Sequence, residues 1–151
     1  MKKIITSSVL LCSALFVHAD VTLNGVFTDH MILQRDMPVP VYGTAEPGEK
    51  VTVAFSGKEK SVVADKDGNW SVKLDAMKVS TAPAVMTVSG KNKLTLNDIL
   101  IGDIWICSGQ SNMEWVLGNC NRPDDVQQAN FPLIRLFQMR GTVSPSPRTE
   151  V

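Results

Sequence analysis

The sequence predicts two kinds of structure in tandem: a β-sandwich over residues 20–98, then the opening of an α/β domain over residues 99–151. Three observations carry that reading. Short runs alternating apolar and polar residues, punctuated by Gly, Asp and Asn, recur through residues 21–98. This is the pattern of antiparallel strands with one face in a core. At Ile99 the alternation stops, and Ile99-Leu100-Ile101 and Ile104-Trp105-Ile106-Cys107 are continuous apolar runs, as in strands covered on both faces. A Gly-containing turn and a helical pattern then complete the strand–turn–helix order of an α/β unit.

Ahead of both stands a leader. Lys2 and Lys3 precede an apolar stretch over residues 4–17, and Val17-His18-Ala19 presents small residues where a signal peptidase cuts. Cleavage before Asp20 is expected, with export to the periplasm or the medium. Leu11 ahead of Cys12 is too large for a lipoprotein cleavage site. Two cysteines then remain, Cys107 and Cys120. An exported protein can keep a disulfide, and the sequence leaves open whether these two pair. Composition is that of a globular chain, 44% hydrophobic and 20% charged, with 15 basic residues against 15 acidic. That balance argues against nucleic acid as a partner, because phosphate binding needs a basic face. After the leader no apolar run reaches the eighteen or so residues of a membrane-spanning helix.

The strands follow in order. Val39-Pro40-Val41-Tyr42-Gly43 reads as an edge strand, since Pro40 has no N–H to give a ladder. Val51, Val53 and Phe55 share one face of the next strand, and Ser56-Gly57 turns the chain into residues 59–64. Asp65-Lys66-Asp67-Gly68-Asn69 is a turn, followed by a strand that points Trp70, Val72 and Leu74 inward. Val85-Met86-Thr87-Val88, the Gly90-Lys91-Asn92 turn and Leu94-Thr95-Leu96 form a further hairpin. Beyond residue 99 a helix is expected from Ser111, a second short one behind Pro123, and a buried strand at Leu133-Ile134-Arg135-Leu136-Phe137. Two such strands and the Ser/Pro tail at 144–148 cannot bury both faces of a parallel sheet. Residues 99–151 therefore read as an incomplete domain and the chain as the N-terminal fragment of a longer protein.

Ser111 is the residue with chemistry in prospect. A hydroxyl between a buried strand and a helix stands at the carboxyl edge of a sheet, where helical N–H groups can meet an oxyanion. Acyl transfer by a serine nucleophile needs that placement. Ser111-x-x-Glu114 equally matches a capping box, in which the hydroxyl only satisfies the first helical turn. Spacing alone leaves both roles open.

The block Gly102-Asp103-Ile104-Trp105-Ile106-Cys107-Ser108-Gly109-Gln110-Ser111-Asn112-Met113-Glu114-Trp115 resembles the nucleophile block of the sialate O-acetylesterase family of SGNH/GDSL-type hydrolases. Residues 27–35, 41–48 and Asp67-Gly68-Asn69-Trp70 resemble the β-sandwich that precedes it in that family. The resemblance implies an Ig-like or jelly-roll-like sandwich followed by an SGNH-hydrolase, flavodoxin-like domain. It assigns Ser111 the role of nucleophile, with its backbone N–H as an oxyanion donor, and leaves Gln110 and Asn112 to bind sugar or shape the turn. It implies removal of O-acetyl groups from sialic acid or related sugars through an acetyl-enzyme, with no cofactor and no metal. The family's Asp-x-x-His base segment lies downstream of the nucleophile, and here the only histidines are His18 and His30. A serine without its base loses on the order of a millionfold in turnover, so these 151 residues alone are expected to be nearly inactive.

Other residues weigh less. Asp29 beside His30 points to the opposite face in an extended chain, so the two read as sandwich-loop residues. Asp103 reads as a loop end, Trp115 as a packing anchor, Trp70 as core, and Arg122 and Arg135 as solvated surface charges. The competing function is a non-catalytic carbohydrate-binding or structural module. Glycan binding would need a row of exposed aromatics; Tyr42 and Trp70 are too few for one, and Trp70 alternates with core residues.

Overall fold

A computed structural model describes residues 20–139. The leader and the Ser/Pro tail lie outside the described residues. The chain is mostly strand: β1 (Ile32–Gln34), β2 (Val39–Thr44), β3 (Lys50–Phe55), β4 (Lys58–Val63), β5 (Asn69–Leu74), β6 (Ser80–Ser89) and β7 (Lys93–Gly102). Five strands form a sheet in the order β1-β7-β6-β3-β4, and β2 pairs β5 in a separate ribbon. All pairings are antiparallel except β1 with β7.

The alternating runs behave as the pattern dictates. Val51, Val53 and Phe55 of β3 and Trp70, Val72 and Leu74 of β5 are buried, while their neighbours face outward. One apolar cluster draws on both sheets, with Val41, Val51, Val53, Met86, Val88 and Ile99 at 0% exposure. Burying each such side chain contributes about 1.5–3 kcal/mol. Pro40 sits on β2, where a two-stranded ribbon tolerates its missing N–H. At the β3–β4 turn Ser56 and Gly57 both adopt positive φ, 49° and 75°, the mirror-image turn that matches strand twist. The Asp65 carboxylate accepts the N–H groups of Asp67 and Asn69 and so fixes the next turn.

Residues 21–24 run beside β2: Thr22 N–H donates to the Thr44 carbonyl and Asn24 N–H to the Tyr42 carbonyl. Asn92 grips the same run, accepting from Val21 N–H at 2.7 Å and donating to its carbonyl at 3.0 Å.

The change of character at Ile99 has a different cause from the one expected. β7 passes unbroken through 98–99, so Ile99, Leu100 and Ile101 close the first sheet rather than open a second. Met86 pairs with Leu96 and Ala84 with Ile99, which leaves one extra residue in β7. That is a β-bulge, and Asp98 in it has φ 53°. An odd insertion reverses the phase of the side chains. Leu94 and Leu96 before the bulge and Ile99 and Ile101 after it therefore all pack on the core. Leu100, on the other face, is also buried, and its N–H donates to the Met31 carbonyl.

The α/β half of the expected fold does not form a sheet among the described residues. Ile104-Trp105-Ile106-Cys107 is not a strand, and Trp105 and Ile106 are 85% and 92% exposed. Leu133-Ile134-Arg135-Leu136-Phe137 is not a strand either, and Leu136 is 93% exposed. An apolar run is held extended by neighbours on both faces, and no described element covers either segment. The helix expected at Ser111 is a four-residue 3-10 turn, Ser111–Glu114, followed by another at Leu117–Asn119. Neither has a buried residue, and a short helix without packing does not propagate. Only the helix behind Pro123 forms as expected, as α1 (Pro123–Gln128).

Candidate active site

Gln110, Ser111 and Asn112 are consecutive, exposed residues at a sharp change of backbone direction. Gln110 is extended, with φ −107° and ψ −163°, and the 3-10 turn begins at Ser111. Met113 N–H donates to the Gln110 carbonyl at 2.8 Å and Trp115 N–H to the Asn112 carbonyl at 3.3 Å, closing the turn. The capping box is not made. Gln110 holds the cap position without a side-chain bond, so the Ser111 hydroxyl is not spent on the helix start. Trp115, expected as a packing anchor, is 62% exposed.

Among the described residues no acid or base is hydrogen-bonded to Ser111. His30 lies in the turn before β1 and bonds through Nδ1 to the Asp98 carboxylate. Its sequence neighbour Asp29 instead accepts the backbone N–H of Asn97 at 2.6 Å. Two surface depressions, one bordered by Tyr42, Asp65 and Ser71 and the other by Phe55, Lys60 and Met77, both lie on the β-strand region and do not reach Ser111. Cys107 and Cys120 are both exposed and free.

The segment that carries Ser111 is tied to the sheet by polar contacts that spacing alone did not reveal. At its start the Asp103 carboxylate accepts from Arg35 Nε at 2.9 Å, and Ile104 N–H donates to the Gln34 side-chain oxygen at 2.8 Å. Asp103 raises the pKa of the Arg35 guanidinium by its hydrogen bond and its charge. Near the far end Arg135 is no solvated surface charge. Its guanidinium donates to the carbonyl of Asp98, to the Asp98 carboxylate at 2.9 Å and to the Met31 carbonyl at 3.4 Å. The hydrogen bond from His30, and then that from Arg135, hold the Asp98 carboxyl below the usual range. Arg122, by contrast, pairs among the described residues with Asp125 of the helix it precedes.

No protein-family model matches the chain. Curated relatives do. Sialate O-acetylesterase of Mus musculus is 34% identical over 124 residues, which cover 74% of this chain and 23% of the relative. That of Homo sapiens is 38% identical over 96 residues, covering 56% of this chain and 18% of the relative. Among solved structures, a carbohydrate acetylesterase from Xanthomonas citri superposes with a TM-score of 0.71 at 39% identity, over 74% of this chain and 26% of that one. The chain thus spans less than a quarter of the length of the curated relatives it matches.

Proposed function

The chain belongs to a sialate O-acetylesterase-like family, and from that premise we propose that it is the nucleophile-bearing part of a carbohydrate O-acetylesterase. The observation that carries the proposal is Ser111: an exposed hydroxyl, uncommitted to capping, at the start of a turn inside the Gly-Gln-Ser-Asn-Met-Glu-Trp run. Ser111 Oγ attacks the acetyl carbonyl, and its proton passes to a base. The tetrahedral oxyanion rests on backbone donors that include Ser111 N–H. Collapse expels the sugar hydroxyl, which takes up a proton, and leaves an acetyl-serine. Water then attacks that ester, releases acetate and restores the serine. Gln110 and Asn112 flank the reacting oxygen and bind the sugar or shape the turn that presents it.

The two sheets act as a β-sandwich scaffold that positions this segment. Among the described residues the nucleophile stands without its base: the bond His30 makes is through Nδ1 to the Asp98 carboxylate in the turn ahead of β1, and none joins it to Ser111. The leader directs export, and the substrate is an O-acetylated sialic acid or a related acetylated sugar.

A fluorophosphonate probe tests the assignment. In any form of the protein that turns over p-nitrophenyl acetate it labels Ser111, and active protein left unlabelled there removes the nucleophile. Ser111-dependent turnover by residues 20–151 at ordinary enzyme rates refutes the missing-base argument instead.

A further inference from the structure

Between Asp103 and Met139 every described residue is exposed except Asp125 and Arg135, which are half-buried. Beyond Asp103, Arg135 is the described residue of this stretch whose side chain bonds back to the sheet, across 37 and 104 positions of sequence. Its receptor is the bulge of β7. Asp98, in the left-handed region, offers its carbonyl and one carboxylate oxygen to a single guanidinium. The other carboxylate oxygen is held by His30, whose own backbone N–H donates to the Asn97 carbonyl at 3.0 Å. The Met31 carbonyl completes the cradle. Two neighbouring non-glycine residues at positive φ, His30 at 62° and Asp98 at 53°, persist only where surrounding contacts over-determine them. A planar fork with several fixed donors suits this arrangement better than an ammonium does.

We propose that the β7 bulge is a socket and Arg135 the latch that fixes the far foot of the Ser111-bearing segment, so that Arg135 and Asp98 are positioning residues for the nucleophile. The near foot is the Asp103–Arg35 and Ile104–Gln34 contact at the end of β7. Ser111 then rides on a loop tied at both feet by polar contacts. The segment's large apolar residues, Trp105, Ile106 and Leu136 among them, give it no burial of its own. The role in positioning rests on the esterase reading; the latch itself does not.

Backbone 15N relaxation on the 151-residue chain tests the latch directly. In the parent, residues 133–137 are expected to show order parameters near the rigid value of about 0.85, and in Arg135→Gln to fall below about 0.6. Asp98→Asn, whose side chain tolerates the left-handed backbone, should loosen the same residues. Arg135→Lys should restore part of the order. Arg122→Gln, which removes the ion pair with Asp125 of α1, should leave residues 133–137 unchanged, and unshifted amides of Val51 and Met86 verify the core in each variant. Mobile residues 133–137 in the parent, or no change in Arg135→Gln, overturn the latch. In a form of the protein with measurable turnover, Arg135→Gln should lower kcat roughly ten- to a hundredfold with little change in KM, and Arg135→Lys should recover part of it. Full kcat alongside lost order overturns the positioning role. Failure of Ser111 to label in active parent protein removes the esterase reading and leaves the latch standing.

Discussion

Gly43 lies on β2 where residues 21–24 pass closest, and replacing it with alanine should detach that run. A Cβ there would stand 2.0 Å from the Thr22 carbonyl oxygen, 2.8 Å from its carbon and 2.9 Å from Leu23 Cα. All three are backbone atoms, so no rotamer change relieves the overlap. The run must retreat until the closest approach exceeds about 3.4 Å. Retreat breaks the Thr22-to-Thr44 and Asn24-to-Tyr42 hydrogen bonds, 2.7 and 3.1 Å, worth about 1 kcal/mol each. It also exposes part of Val21, now 1% accessible, whose full burial contributes about 1.5–3 kcal/mol. The expected loss is therefore about 3 kcal/mol, out of a total of about 5–15 for a domain. With a urea slope of about 1–3 kcal/mol per molar, the midpoint should fall by about 1–3 M. Trp70, 3% exposed, reports the transition, since Trp105 and Trp115 are 85% and 62% exposed before unfolding begins. Gly57→Ala is the control: nothing lies within 4 Å of its Cβ, but φ is +75°, so only the left-handed penalty of about 1–2 kcal/mol applies. A Gly43→Ala loss below about 1 kcal/mol, or one no greater than that of Gly57→Ala, would refute the close-approach reasoning.

Ile99→Ala should cost about 2–5 kcal/mol in urea unfolding, because Ile99 is wholly buried, whereas Leu136→Ala, at 93% exposure, should stay within about 0.5 kcal/mol. Equal costs would restore the buried strand expected at residues 133–137. Lys78, Lys60 and His30 are the first causes holding the carboxyls of Asp36, Asp75 and Asp98 below the ordinary 3.8. A depressed folded-state pKa adds stability that is present above 3.8 and lost as pH falls through the folded value. The thermal midpoint should hold level above about pH 5 and decline below it, and each Asp→Asn variant should flatten that decline; carboxyl-carbon NMR reads the three titrations. Cys107 and Cys120 should both be alkylated by iodoacetamide without denaturant, as mass spectrometry of the peptides will show; protection of both until reduction would mean a disulfide.

What was legible in the sequence was whatever local periodicity encodes. The inward faces of β3 and β5, the Ser56-Gly57 and Asp65–Asn69 turns and the short helix behind Pro123 all follow from two to six adjacent residues. The run Ile99-Leu100-Ile101 is buried on both faces as its lack of alternation implies, but a strand that closes the first sheet leaves the same mark as one that opens a second. Only the pairing partner tells them apart, and β1, which pairs with Leu100 and Ile101, is distant in sequence from them. The apolar runs at 104–107 and 133–137 were read as strands since hydrophobicity signals burial, but burial depends on what else arrives to cover them. Arg135 escaped for a related reason. Its partners Asp98 and Met31 come together only once β1 lies beside β7, and no spacing rule connects them.

Ser111 separates the two roles that the sequence left competing, because they predict opposite responses to one substitution. A capping serine replaced by alanine costs about 1 kcal/mol of stability. Here Gln110 occupies the cap position, no side chain bonds the free N–H groups, and no residue of the turn is buried. Ser111→Ala should therefore leave the urea midpoint and the order of residues 133–137 where they were. A stability loss of 1 kcal/mol or more would instead return the residue to a capping role. If stability holds, any activity lost on the same substitution belongs to the chemistry of the hydroxyl. Arg135→Gln should show the converse pattern, with the segment's order lost and the hydroxyl intact. The pair of variants thus distinguishes a residue that reacts from one that holds it in place.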